Sequence, residues 1–198
     1  MNVKSKLFNL KNKILVHYYK LGKPDQFKYD NIVFDEYIHW YNHTWGNSRR
    51  VELPIFFYLL NKYDGKRILE VGNVTKHYKK YNHDVLDKYE KAVGIINEDI
   101  VDFIPKDKYD IVLSCSTLEH VGFDEPIKEK GKFLHAINNI KENIMKKEGL
   151  FIFSVPLKYN PEVDKAIANN QINFSEIVSY DINNYQVIIV TIGEGGFK

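Results

Sequence analysis

The chain has 198 residues, 44% of them apolar, and a net charge of only +2. That length suits one α/β domain with an addition and is short for two, and the balanced charge gives no field that would draw nucleic acid. The single cysteine, Cys115, excludes an internal disulfide framework; with no apolar run near the ~20 residues of a membrane span and no signal-peptide core behind the N-terminal lysines, the expected location is the cytoplasm.

Residues 3–21 read as a helix. Val3, Leu7, Leu10, Ile14, Tyr18 and Leu21 recur at three- and four-residue spacing as one apolar stripe, with Lys4, Lys6, Lys11, Lys13 and Lys20 elsewhere. Such a helix packs on its own domain or, through its lysines, on a membrane surface or an anionic partner. Gly22 to Pro24 ends it. Residues 33–45, VFDEYIHWYNHTW, are dense in aromatics and histidines and read as helical. Residues 50–63 read as a further helix, entered near Pro54 and closed by Asp64-Gly65. Together these segments make residues 1–63 a helical cap.

From residue 64 the pattern changes. Short apolar runs at 67–72, 83–87, 91–97, 109–116, 149–156 and 185–192 alternate with polar, helix-compatible stretches. The longest such stretch is 131–149, striped by Phe133, Leu134, Ile137, Ile140, Ile144 and Met145 and stopped by Gly149. Continuous apolar strands require cover on both faces. Strand–helix–strand alternation then predicts an α/β fold with a doubly wound, mostly parallel sheet. No repeat or linker divides the chain, so residues 1–198 are read as a single domain, a Rossmann-like core over 64–198 carrying the cap.

In such a sheet ligands bind beyond the carboxyl ends of the strands, where strand order reverses. The polar residues at those ends are therefore the candidates. Glu70, Gly72 and Asn73 follow the first strand and Asp87 the second. Asn97-Glu98-Asp99-Ile100 follows the third, Ser114 to His120 the fourth and Ser154-Val-Pro156 the fifth.

ILEVG, HDVLDKYE, NEDIVDF, YDIVLSCSTLEHVG and GLFIFSVPL, in this order and spacing across roughly residues 50–160, resemble the class I S-adenosylmethionine-dependent methyltransferases. The resemblance implies S-adenosylmethionine as cofactor and gives the strand ends their roles. Glu70 and Gly72 match the first motif, with Asn73 in its turn. Asp87 matches the residue that holds the ribose hydroxyls, and Asp99 with Ile100 those that recognise adenine. Ser114, Ser116 and His120 fall in the stretch beside the methionine portion and the acceptor. Elementary chemistry agrees: one carboxylate accepts from two adjacent hydroxyls, and a sulfonium is favoured by carboxylates and carbonyls. The family's further glycines are replaced here by Val74 and Lys76. A β-branched residue resists positive φ, so the turn is expected to take another shape, with Asn73 in the left-handed conformation. The chain ends soon after 192, so a shortened C-terminal end, one strand or a hairpin, is expected.

His120 is read either as a general base for an acceptor hydroxyl or amine, or as a helix-start residue bonded to backbone. His39 and His43 stand four apart, but no third ligand completes a metal site. With Trp40, Tyr41 and Trp45 they line an acceptor pocket or pack the cap. Arg49 grips the methionine carboxylate or an anionic acceptor, or pairs with Glu52. Cys115 reads as a small buried residue. The fourth strand lacks the Asn/Asp-Pro-Pro-aromatic tetrapeptide that base-amine methylases use, so DNA is not an expected partner. The expected activity is methyl transfer to an oxygen or nitrogen of a small molecule or glycan. The alternative is an inactive scaffold that recruits a partner through the N-terminal helix. A nicotinamide oxidoreductase ranks below both, because the G-x-G-x-x-G turn is missing. A homodimer is left open.

Overall fold

A computed structural model describes residues 14–17, 24–182 and 185–193. Residues 14–17 are helical; the rest of the helix expected over 3–21 lies outside the described residues. No helix among the described residues is long and apolar enough to cross a membrane.

The first ordered unit is a hairpin of β1 (Gln26–Tyr29) and β2 (Ile32–Asp35), paired Gln26 to Asp35. This corrects the helix expected over 33–45. Asp30 and Asn31 form the turn with φ of 51° and 58°, a left-handed pair that Asn and Asp tolerate and that matches strand twist. Residues 41–46 then form a 3₁₀ segment in which Asn42 and His43 also have positive φ. His39 and His43 therefore do not share a helical face.

α1 (Arg49–Lys62) follows, with Pro54 inside it. A proline offers no N–H to the carbonyl four residues back. That carbonyl, on Arg50, accepts instead from the Tyr37 N–H at 2.8 Å. The proline thus frees the acceptor that ties the segment before it to the helix. The Arg50 guanidinium adds an ion pair to Glu36 and a hydrogen bond to the Trp45 carbonyl at 3.2 Å.

The main sheet comprises β3 (Ile68–Val71), β4 (Asp84–Leu86), β5 (Ile95–Ile96), β6 (Tyr109–Cys115), β7 (Met145–Pro156), β8 (Glu176–Ile182) and β9 (Tyr185–Ile192). Their order is β5-β4-β3-β6-β7-β9-β8. β3 to β7 run parallel, and β9 is antiparallel to both of its neighbours. The chain works outward from β3 to β5 and then returns to place β6 on the other side of β3. The crevice between the tips of β3 and β6 is therefore the switch point. The C-terminal end is a hairpin, one of the two endings the sequence left open.

Period-two alternation sorts each strand between two cores. Ile68, Ile111, Leu113, Ile152 and Ile189 face α1, where Val51, Ile55, Phe56 and Leu59 are buried against them. Leu69, Val112, Phe151 and Phe153 face the other way, onto α2 (Lys132–Asn139) and α3 (Pro161–Ala168). Phe151 and Phe153 are fully buried and stack at 5.0 Å, each contributing about 2–3 kcal/mol by removal from water.

The helix expected over 131–149 is shorter. α2 passes into a π turn over Ile140–Ile144, and strand begins at Met145, opposite Tyr109. Pairing resumes at Ile111 and Leu150, so Lys146 to Gly149 bulge outward, held by Lys146 to Asp110 at 2.6 Å. Gly149 is a close-packing residue here, not a helix stop: a Cβ on it would lie 2.9 Å from the Asp110 carbonyl.

The connections from β3 to β4 and from β4 to β5 carry no α-helix. Residues 72–83 hold only a 3₁₀ turn at Thr75–His77. The crevice thus has no helix N-terminus aimed at it from the β3 turn.

Candidate functional site

The β3 turn is built around Gly72. Its φ is +83°, and a Cβ there would sit 2.2 Å from Thr117 Oγ1. Glycine is needed twice, for the backbone conformation and for the contact between the β3 and β6 tips. Its N–H donates to the Leu86 carbonyl at 2.8 Å. Asn73, expected to be left-handed, is not; Gly72 already turns the chain. Asn73 instead links outward, its N–H to Asp87 Oδ2 at 3.1 Å and its Nδ2 to Glu90 Oε1 at 2.8 Å.

Glu70, expected at the cofactor, points inward and is fully buried. Its Oε1 accepts the Val74 and Thr75 N–H groups at 3.2 and 2.8 Å. Its Oε2 accepts the Thr75 hydroxyl at 2.6 Å and lies 2.7 Å from His83 Nε2. This carboxylate shapes the glycine-poor loop. Ser114 is also inward, its hydroxyl donating to the Val71 carbonyl at 3.1 Å.

A cavity of about 250 Å³ opens at the switch point, near the lower end of small-molecule clefts. Val71, Gly72, Leu86, Ile100 and Val121 supply apolar wall; Asp87, Asp99 and His120 are among its polar lining. Five expected site residues, Gly72, Asp87, Asp99, Ile100 and His120, are brought together there. Asp87 is held by backbone, with Oδ1 accepting the Tyr89 and Glu90 N–H groups at 2.9 and 2.8 Å. The Asn97 amide donates to the Asp87 and Lys88 carbonyls at 2.9 and 2.8 Å, tying the β4 and β5 tips together.

Asp99 belongs to a four-membered clasp that sequence reasoning missed. Its Oδ2 lies 2.7 Å from both Lys88 Nζ and Lys132 Nζ, and both lysines also reach Glu125 Oε2, at 2.9 and 2.7 Å. Burial works against the Asp99 charge, but the hydrogen bonds from Lys132 and Lys88 prevail and hold its carboxyl below the usual range. The clasp closes three loops around one side of the cavity.

His120, also in the lining, is hydrogen-bonded through Nδ1 to Oδ2 of Asp124, the chain neighbour of Glu125 in the clasp. The Tyr159 hydroxyl donates to the same oxygen at 2.6 Å and lies 3.3 Å from His120 Nδ1. His120 Nε2 is 3.7 Å from Glu119 Oε1. Asp124 stands four residues after His120, a local spacing the sequence does offer, whereas Tyr159 lies on a different connection and has no sequence signal pairing it with His120.

Behind the β6 tip lies a buried polar cluster. Arg49 Nη1 donates to the Cys115 carbonyl at 2.7 Å and Nη2 to the Ser116 carbonyl at 3.2 Å, with Glu52 Oε2 at 3.4 Å. Ser116, at φ 38°, hydrogen-bonds Glu52. Arg49 and Ser116 thus cross-link α1 to the strand tip and lie outside the cavity lining. Burial, reinforced by Glu52 and opposed by Arg49, pushes the Glu119 carboxyl up to about 8.

The cap aromatics cover the loop after Gly72. His39 meets Tyr37 at 5.8 Å and Tyr78 at 5.3 Å, Trp40 lies against His39 at 5.5 Å, and His43 packs on Trp45 at 5.1 Å. None of His39, Trp40, His43 and Trp45 lines the cavity. Thr44, fully buried, fastens this segment: it accepts the His39 N–H at 2.6 Å and donates to the Tyr37 carbonyl at 2.8 Å.

No family model matches the chain, and no curated protein matches it in sequence. Solved structures do resemble it. A TehB-like S-adenosylmethionine-dependent methyltransferase from Corynebacterium glutamicum is 14% identical with a TM-score of 0.50, over 72% of this chain and 86% of that one. The N-methyltransferase NodS from Bradyrhizobium japonicum, in complex with S-adenosyl-L-homocysteine, is 14% identical with a TM-score of 0.47, over 74% and 92%. The first likeness shows the fold: this chain has the Rossmann-like sheet of the S-adenosylmethionine-dependent methyltransferases.

Proposed function

We propose that this chain is an S-adenosylmethionine-dependent methyltransferase acting on an oxygen or nitrogen of a small molecule or glycan. The observation that carries the reading is the convergence of Gly72, Asp87 and Ile100, from three successive strand tips, on one cavity at the switch point. The donor set suits the cofactor. Asp87 offers carboxylate oxygens for the ribose hydroxyls, and Leu86, Ile100 and Val121 offer apolar wall for a flat base. Asp124, also in the lining, gives a cationic sulfonium a favourable field, whereas Glu125 is already paired with Lys88 and Lys132. The cofactor has no phosphate, so a β3 turn without a following helix N-terminus is no handicap, whereas a dinucleotide would lose its usual pyrophosphate seat.

When bound, S-adenosylmethionine supplies a methyl group by in-line displacement, the acceptor lone pair forming the new bond while the C–S pair leaves on sulfur as a thioether. The chain's own part is to position the two reactants and exclude water. His120, in the same lining, takes the acceptor's proton.

A second reading draws on Asp99, whose carboxylate is already engaged by Lys88 and Lys132. On that view the crevice is closed and the chain is a methyltransferase-like scaffold that binds a partner. Native mass spectrometry of the purified protein, with and without added S-adenosylmethionine, separates the two. A one-to-one adduct supports the enzyme; its absence at saturating cofactor supports the scaffold.

A further inference from the structure

The cluster joins two separate connections: His120 and Asp124 stand four apart and line the cavity, and Tyr159 lies 35 residues beyond Asp124. His120 ends the 3₁₀ turn Leu118–His120, Asp124 follows it, and Tyr159 precedes α3. Asn160 makes the junction rigid. It is buried, its amide donates to the Glu119 carbonyl at 2.8 Å, and its Oδ1 caps α3 by accepting the Glu162 N–H at 2.9 Å. Pro161 follows at the first helical position, so the stop before α3 is fixed. Tyr159 is thereby held beside His120, ring centroids 5.1 Å apart at 75°. A carboxylate only accepts, so a neutral His120 must carry its proton on Nδ1 to bond Asp124. The Tyr159 hydroxyl gives its one proton to Asp124 Oδ2 and so cannot donate to His120 Nδ1.

We infer that Asp124 and Tyr159 are positioning residues that hold His120 in the Nδ1–H tautomer, leaving Nε2 bare as the nitrogen that takes a proton from the acceptor. The inference rests on the methyltransferase reading for its chemistry, and it narrows the acceptor class. The acceptor carries an O–H or N–H whose proton must leave as the methyl group arrives. That proton bonds to Nε2, its former bonding pair stays on the acceptor atom, and the resulting imidazolium is neutralised by Asp124. A thiolate or tertiary amine, with no proton to lose, has no use for this arrangement.

The tautomer can be read without any acceptor. ¹⁵N NMR of the histidine-labelled full chain is expected to show His120 protonated on Nδ1 and bare on Nε2. Asp124→Ala should shift the population toward the Nε2–H form by about tenfold. Tyr159→Phe, which removes only a hydroxyl and provides the fallback if Asp124→Ala misfolds, should broaden or partly shift the same signals. A wild-type His120 protonated on Nε2, or tautomers unchanged in both variants, overturns the inference. Titrating the same samples with S-adenosylhomocysteine keeps the two readings apart. Absent binding in the wild type removes the methyltransferase reading and leaves the tautomer result standing.

Discussion

Glu70 and His83 meet at 2.7 Å with both side chains buried. The same carboxylate receives the Val74 and Thr75 N–H groups and the Thr75 hydroxyl. Where the family's first turn is shaped by glycines, this one hangs from an acid. Glu70→Ala strands those donors in the interior and should destabilise the fold by about 3–5 kcal/mol. Chemical denaturation measures it; a loss below about 1 kcal/mol, the worth of a dispensable hydrogen bond, would mean that the loop is held elsewhere.

Gly72 should tolerate no side chain. Gly72→Ala meets Thr117 at 2.2 Å and must also hold φ near +83°. Pairing it with Thr117→Ala removes the clash and leaves the conformational strain, about 1–3 kcal/mol. The double variant is therefore expected to unfold at a higher denaturant concentration than Gly72→Ala and a lower one than the wild type. If the single variant matches the wild type, the tips of β3 and β6 are not in this contact.

Glu119 gives stability a pH dependence. Burial raises its carboxyl from the ordinary 4.5 to about 8 in the folded chain. Between those values the native state keeps a proton that the unfolded chain has lost. Stability therefore falls as pH rises through that window, and the penalty is complete above about 8. Urea midpoints at about pH 5 and about pH 8.5 should differ more for the wild type than for Glu119→Gln, which has no proton to lose. Equal differences would show that Glu119 titrates normally.

The two-sided strands were readable because burial on both faces leaves few polar positions: YDIVLSC and GLFIFSVP could be little else. β8, EIVSYDI, is an edge strand with mostly exposed positions, and its Ser, Asp and Glu hid it. The β1–β2 turn was missed because Asp30-Asn31 performs a left-handed turn without glycine. Asp87 and His120, placed by the sequence just past strand ends, do line the cavity. Glu70 does not line the cavity, for a reason of parity. It shares a face with Ile68 and so points beneath the sheet tip toward the α1 side. The Lys88–Asp99–Glu125–Lys132 clasp and the Asp124–Tyr159 contact join separate connections, and no local pattern encodes such pairs.

The central claim is that Asp87 holds a ribose in the crevice between β3 and β6. Calorimetric titration with S-adenosylhomocysteine, comparing the wild type with Asp87→Ala, tests it most directly. Asp87→Asn serves as the milder variant, since it keeps an oxygen for the Tyr89 and Glu90 N–H groups and loses only the acceptor of the Asn73 N–H. The expected result is saturable one-to-one binding that weakens by about 1–3 kcal/mol in Asp87→Ala. No heat at millimolar ligand, or an affinity unchanged by the substitution, would contradict it.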